Sequence, residues 1–241
     1  MAALRSGVDA SVLTTGTAAA NTLTLNYTPA HSRSLLFAGF THNNFGSGAM
    51  TTPSGWTLLG QQSFASGGRC TYLFVKENLS TSASSVTGTA SAATGFAGGV
   101  VEIDGVAFTP SVAAGLTNVG TNSGTNWGFP LAALTTGAAG TAFPNPNGCP
   151  YVAVSAYGAG ASLAAVIPSL GGSNAQYSYT GAATSTSIAV GATANTTGPD
   201  VSYATQYIAW LNQGATNRTA GVVSILLVPY AQGLPTAGVG G

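Results

Sequence analysis

The amino-acid sequence predicts an all-β fold: a two-sheet antiparallel β-sandwich, jelly-roll-like, with two internally echoing halves. Three observations carry this. The strong helix formers Glu, Lys, Arg, Gln and Met are scarce, while Gly, Thr, Ser and Val dominate. Short stretches alternating apolar with polar or small residues recur between Gly, Pro, Asn and Ser clusters, the signature of many short strands joined by turns. The order of these stretches also repeats along the chain.

The elements follow in order. Residues 1–20 are poor in large apolar side chains and read as an N-terminal arm. Residues 21–230 read as one sandwich domain. It opens with TLTLNYT and SLLFAGF, followed by GWTLLGQ, where alternation puts Trp56 and Leu58 on one face. In CTYLFVKEN, Tyr72, Phe74 and Lys76 share one face and Leu73 and Val75 the other. Both faces are apolar, which predicts a central strand. In GGVVEIDGV, Val101 and Ile103 point one way and Glu102 and Asp104 the other. This predicts a half-buried strand with a solvated acidic face, ending at an Asp-Gly turn.

The series SLLFAGF, PSGWTLLG, TYLFVKEN and AGGVVEI is echoed by YVAVSAYG, PSLGG, QYIAWLNQ and TAGVVSI. The half-repeats span about 34–106 and 151–228. The second carries an insertion, mostly STSIAVGATANTTGPDVSY. Either half alone makes a thin sheet with an exposed apolar face, whereas two packed halves make one core. The Pro- and Gly-rich connection 107–150 reads as a long irregular segment, since Pro130, Pro144, Pro146 and Pro150 oppose a central strand over most of it. Residues 231–241 read as a glycine-rich tail.

Composition narrows function. Five basic and five acidic side chains make 4% charged residues, against about 25% in ordinary domains. Five scattered cations cannot neutralise a run of phosphates, so no nucleic acid is expected as a partner. There is no basic amphipathic stretch for a membrane surface, and the longest apolar run, GVVSILLVPYA, is too short to cross one. MAALRSGVDAS lacks the apolar core of a secretory signal, so folding in a cytoplasm is expected. So weakly charged a surface suits an assembly whose neighbours cover it.

Chemistry-bearing patterns are sparse. His31 and His42 flank one predicted strand and would sit at its two ends, which opposes joint metal ligation. Cys70 and Cys149 lack partners at metal-ligand spacing and read as buried thiols, with a disulfide between them left open. Five acids give little scope for a paired-carboxylate site, and no nucleophile-elbow, P-loop or dinucleotide motif occurs. No catalytic, cofactor-binding or metal-binding residue is assigned, and no enzyme is expected. Trp56 and Trp210 read as core. The candidate partner contacts are Trp127 and Phe129, in the Pro-rich connection, and Tyr177 and Tyr179, on one face of AQYSYTG among polar neighbours.

The succession TLTLNYTP, RSLLFAGFT, GWTLLG, TYLFVKEN and AGGVVEIDGV, closing on AGVVSILLVP, resembles a small-residue-rich β-sandwich domain of bacteriophage particle proteins and bacterial surface proteins. It covers about residues 20–230. The resemblance implies a jelly-roll-like sandwich serving virion architecture or attachment, with no catalytic residues. The expected function is that of a non-enzymatic virion structural protein, a capsid decoration or cement protein at the virion surface, assembled in the host cytoplasm. Its expected partners are the major capsid protein or other virion proteins, and by analogy with threefold capsid positions it is expected to form a homotrimer. The alternative is a tail or fibre module that binds a host-surface glycan through exposed aromatics.

Overall fold

The computed structural model describes residues 9–64, 68–104, 106–107, 116–122, 126–130, 151–159, 165–168, 174–183, 186–195, 207–211 and 218–229. These residues form antiparallel strands and no α-helix; a single 3₁₀ turn spans Phe45–Ser47. The predicted all-β sandwich is the observed fold class.

The first sheet holds β1 (Asp9–Ala18), β3 (Leu35–Asn43), β4 (Thr57–Phe64), β5 (Arg69–Glu77) and β7 (Phe96–Asp104), in the order β1-β7-β3-β5-β4. A two-stranded ribbon pairs β2 (Thr22–Tyr27) with β6 (Ser84–Thr89). A second large sheet runs β13-β14-β11-β16-β8, from β8 (Val106–Ala107), β11 (Tyr151–Ala159), β13 (Asn174–Ala183), β14 (Thr186–Asn195) and β16 (Arg218–Pro229). There β9 (Leu116–Asn122) also pairs with β16. A three-stranded sheet holds β10 (Asn126–Pro130), β12 (Ala165–Pro168) and β15 (Tyr207–Leu211), with β15 in the middle.

The first sheet is covered on both faces. Along β3 and β7, eight consecutive residues are buried, because side chains of both parities meet protein. On one face, Leu35, Phe37, Leu73, Val75, Val101 and Ile103 join Val154, Ala156, Ile188, Val190 and Val223 of the second large sheet in one cluster. On the other, Leu36, Ala38, Phe40, Tyr72, Phe74 and Phe96 meet Leu23, Leu25, Tyr27 and Val86 of the ribbon. The expected split of β5, Tyr72 and Phe74 against Leu73 and Val75, is the observed one. Phe40 lies edge-on to both Phe74 and Phe96, at centroid distances of 6.3 and 6.4 Å, a favourable quadrupole arrangement.

Missing side chains set how closely the two large sheets approach. A Cβ added at Gly99 on β7 would overlap Val190 of β14. A Cβ at Gly158 on β11 would overlap the hydroxyls of Thr41 and Thr71. Those two threonines are fully buried and hydrogen-bond each other at 2.9 Å, which pairs their hydroxyls inside an apolar layer.

Several expectations are corrected. Residues 9–18, read as part of an arm, form β1 and pair with β7 from Asp9↔Asp104 to Ala18↔Phe96. Their Thr- and Ser-rich composition hides a strand whose ladder bonds come from a neighbour already buried. The connection 107–150 contains β9 and β10 rather than running irregularly throughout, and Pro130 sits at the end of β10, where it interrupts no central ladder. Trp56 and Leu58 do not share a face. Trp56 precedes β4 and is 7% exposed, whereas Leu58 is 39% exposed, and a register shift follows it before Gly60. The order of segments also has a counterpart in pairing. β11 pairs with β16 as β3 pairs with β7, but QYIAWLNQ lies in β15 of the three-stranded sheet, and β14, from the inserted stretch, takes the place beside β11. The tail 231–241 lies outside the described residues.

The close approach at Gly99 generates a test. Gly99→Ala forces the Val190 side chain to move, and overpacking of this kind costs about 1–3 kcal/mol. Urea unfolding should show the lowered midpoint with an unchanged slope. Wild-type stability would mean that the sheets lie further apart than this.

Candidate functional site

Three groupings of polar or aromatic residues merit comparison: a buried carboxylate, a buried His-Tyr-Cys cluster, and the aromatics singled out in the sequence.

Glu102, on β7, is 1% exposed, so its expected place on a solvated face is overturned. The segment after β2 folds over it. Its carboxylate accepts hydrogen bonds from the Ala30 amide at 2.7 Å, the His31 amide at 3.0 Å and the Ser34 hydroxyl at 2.6 Å, with His31 Nδ1 at 3.8 Å. Asn78, just past β5, ties the same segment from the other side. Its side-chain amide donates to the His31 carbonyl at 2.6 Å and to Ser34 Oγ at 3.1 Å, and its backbone carbonyl accepts from the Arg33 amide at 2.8 Å. Arg33 sits in the left-handed region, φ 70°, held there by these bonds. Every named donor points at a fixed acceptor, which makes a latch and leaves little room for a substrate.

His42, Tyr72 and Cys70 meet on the ribbon-facing side of the first sheet, at 0%, 1% and 0% exposure. The His42 and Tyr72 rings stack at 5.5 Å. The Met50 amide donates to the Tyr72 hydroxyl at 3.1 Å, His42 Nε2 lies 3.2 Å from that hydroxyl, and His42 Nδ1 lies 2.7 Å from the Asn43 carbonyl. One assignment satisfies all three contacts: Nδ1–H donates to Asn43, and Nε2 accepts from Tyr72. Burial pushes the His42 pKa down, opposed in part by the bond to Asn43. It pushes the Cys70 thiol up to about 11 and Tyr72 up as well. All three groups are held neutral and closed to solvent, the reverse of an activated nucleophile and base. Cys70 is a free buried thiol, as the sequence reading expected; Cys149 lies outside the described residues. Among the described residues, no three or more His, Cys, Asp or Glu side chains gather as metal ligands.

Trp127 and Phe129 lie on β10, a regular strand rather than an irregular loop, opposite Trp210 and Ile208 of β15. Tyr177 and Tyr179 lie on β13, opposite Gly191 and Ala189 of β14. Two residues apart on one strand, the two tyrosines hold alternate register positions of β13. The two pairs belong to different sheets, and each lies on a terminal strand of its sheet. Trp56 is core, as expected, edge-on to Tyr27 at 6.4 Å and with Lys76 Nζ 6.0 Å from its ring centre.

Sequence reasoning missed the latch and the His-Tyr-Cys cluster. Alternation in GGVVEID does put Glu102 opposite Val101, but nothing local says that a later-folded segment will cover that face. Compared with known proteins, the chain matches no family model, no curated protein and no solved structure.

Two predictions arise here. Glu102→Ala leaves the Ala30 and His31 amides and the Ser34 hydroxyl without their acceptor. It should cost about 3–5 kcal/mol, as breaking a buried charged network does, while Asp104→Ala should stay within about 0.5 kcal/mol. Chemical denaturation of both variants checks this, and equal effects would refute the latch. The second concerns pH. A lowered folded-state pKa means that the native protein binds fewer protons than the unfolded chain below the ordinary imidazole value of 6.5. Stability is therefore full above that value and falls as pH drops through it toward the folded pKa. Unfolding midpoints measured from neutral to mildly acidic pH should show this loss, and His42→Phe should flatten it.

Proposed function

We propose that this chain is a non-enzymatic structural protein of a bacteriophage virion, a capsid decoration or cement protein that reinforces the shell by non-covalent contacts. The observation that carries the reading is a sandwich with almost no charge, whose described residues form no α-helix and whose described buried titratable groups are sealed into its scaffold. Its capacity for interaction then lies in its outer surface. The order of strand motifs, similar to that of phage particle and bacterial surface sandwiches, supports the same reading. In it the partners are the major capsid protein and neighbouring virion proteins, and copies of the chain associate as a trimer at threefold capsid positions.

The mechanism is repeated, weakly charged contact. A preformed β surface loses little conformational entropy on docking, and about 800 Å² per partner is enough for specific binding. Repetition over a shell adds avidity. The terminal strands β10 and β13, with Trp127 and Phe129 on one and Tyr177 and Tyr179 on the other, are the contact candidates.

With so few charges, attachment rests on apolar burial and neutral hydrogen bonds rather than on forces screened within a Debye length of about 8 Å. Occupancy on purified particles should therefore hold from low to molar salt. It should fall for Trp127→Ala or Phe129→Ala by an amount on the order of 1–3 kcal/mol each. Quantitative mass spectrometry of pelleted particles reads both effects. A steep loss with salt and no effect of either mutant would refute the proposal.

A further inference from the structure

Between β1 and one end of the ribbon lies a wide-mouthed groove of about 800 Å³. Leu13 of β1, Asn26 and Tyr27 at the end of β2, Thr28 just beyond it, and Ser84 and Ser85 at the start of β6 line it. The volume lies in the range of small-molecule sites. Leu13 marks a register shift in the pairing of β1 with β7, between Val12 and Thr14, so the strand is irregular where the groove opens.

The lining selects a chemical class. Among the described residues no charged side chain lines the groove, so an ionic ligand would lose hydration without gaining a counter-charge from them. A purely apolar ligand would strip water from Asn26, Thr28, Ser84 and Ser85 and give nothing back. A neutral saccharide fits both demands. Its hydroxyls donate to and accept from side-chain hydroxyls and an amide, and its C–H faces suit Leu13.

A second observation points to the same place. Tyr27 is 4% exposed, and its hydroxyl is buried with no hydrogen-bond partner. The comparable hydroxyl of Tyr72 contacts both the Met50 amide and His42 Nε2. A buried hydroxyl left unpaired costs on the order of 1–3 kcal/mol. Of the two tyrosines whose side chains are described, Tyr27, with the unpaired hydroxyl, is the one that lines the groove.

We propose that this groove is a binding site for a neutral saccharide, with Asn26, Thr28, Ser84 and Ser85 meeting its hydroxyls and Tyr27 supplying a further donor. The Tyr27 hydroxyl is closed to water. A bound sugar reaches it when the ring turns outward from its edge-on contact with Trp56, at 6.4 Å and 84°. Binding is thereby coupled to the environment of Trp56. The inference does not rest on the capsid reading, because a surface glycan could be met by this groove wherever the protein is displayed.

The test uses the full ¹⁵N-labelled chain and a panel of neutral oligosaccharides containing glucose, galactose or N-acetylglucosamine, titrated to about 10 mM, the weak end of specific binding. For at least one sugar we expect saturable shifts at the Asn26, Tyr27, Thr28, Ser84 and Ser85 amides and at the Trp56 indole N–H. Tyr27→Phe should fold with undiminished thermal stability, since it removes an unpaired hydroxyl, and should weaken binding about tenfold. Ser85→Trp, which fills the mouth, should abolish it. The proposal is overturned if no sugar gives saturable shifts there, if the shifts map to another surface, or if Tyr27→Phe binds as tightly as wild type.

Discussion

The architecture depends on a sheet that is apolar on both faces. β7, β3 and β5 present large side chains in both directions, so neither face of the first sheet can be left to water. The ribbon β2–β6 closes one face, and β11, β14 and β16 close the other. In the ribbon, β2 buries alternate residues, as its eBeBeB pattern shows. The middle sheet thus joins the two ends of the chain into one fold, and either cover without it would expose its own apolar face.

Covering both faces places polar groups where water cannot reach them. Thr41 and Thr71 pair with each other, Tyr72 and His42 complete a short chain from the Met50 amide to the Asn43 carbonyl, and Glu102 gathers the amides of the segment above it. These groups include the types from which active sites are built. Here they serve to satisfy one another and to hold connecting segments on the sheet. Burial leaves His42 neutral and the Cys70 thiol protonated at neutral pH. The same constraint explains why Tyr27 stands apart, as a buried hydroxyl at the open end of a layer with nothing beside it to bond.

The candidate contacts were legible in part. Tyr177 and Tyr179 could be put on one strand face from two-residue spacing alone, and the register pairs them with Gly191 and Ala189 of β14. Trp127 and Phe129 were readable as aromatics beside a proline, but not as strand residues. NWGFP has weak alternation, and β10 exists through its pairing with β15, some eighty residues later in the chain and beyond the reach of a local pattern. The groove at Tyr27 left no trace in the sequence, because its walls come from three separate strands.

By itself the sequence determined the fold class, the central position of β5 and the near absence of charge, since each follows from composition or two-residue periodicity, which local sterics and hydrophobicity set directly. It also marked Trp56 as scaffold. Only the tertiary structure decided that residues 9–18 are an edge strand, that Glu102 is a buried latch rather than a solvated acid, and that β14 rather than β15 flanks β11. The physical reason is common to all three. Whether a face or an edge meets water depends on what packs over it, and a strand's neighbours in a sheet are chosen by pairing and burial across long sequence separations, which no local pattern encodes.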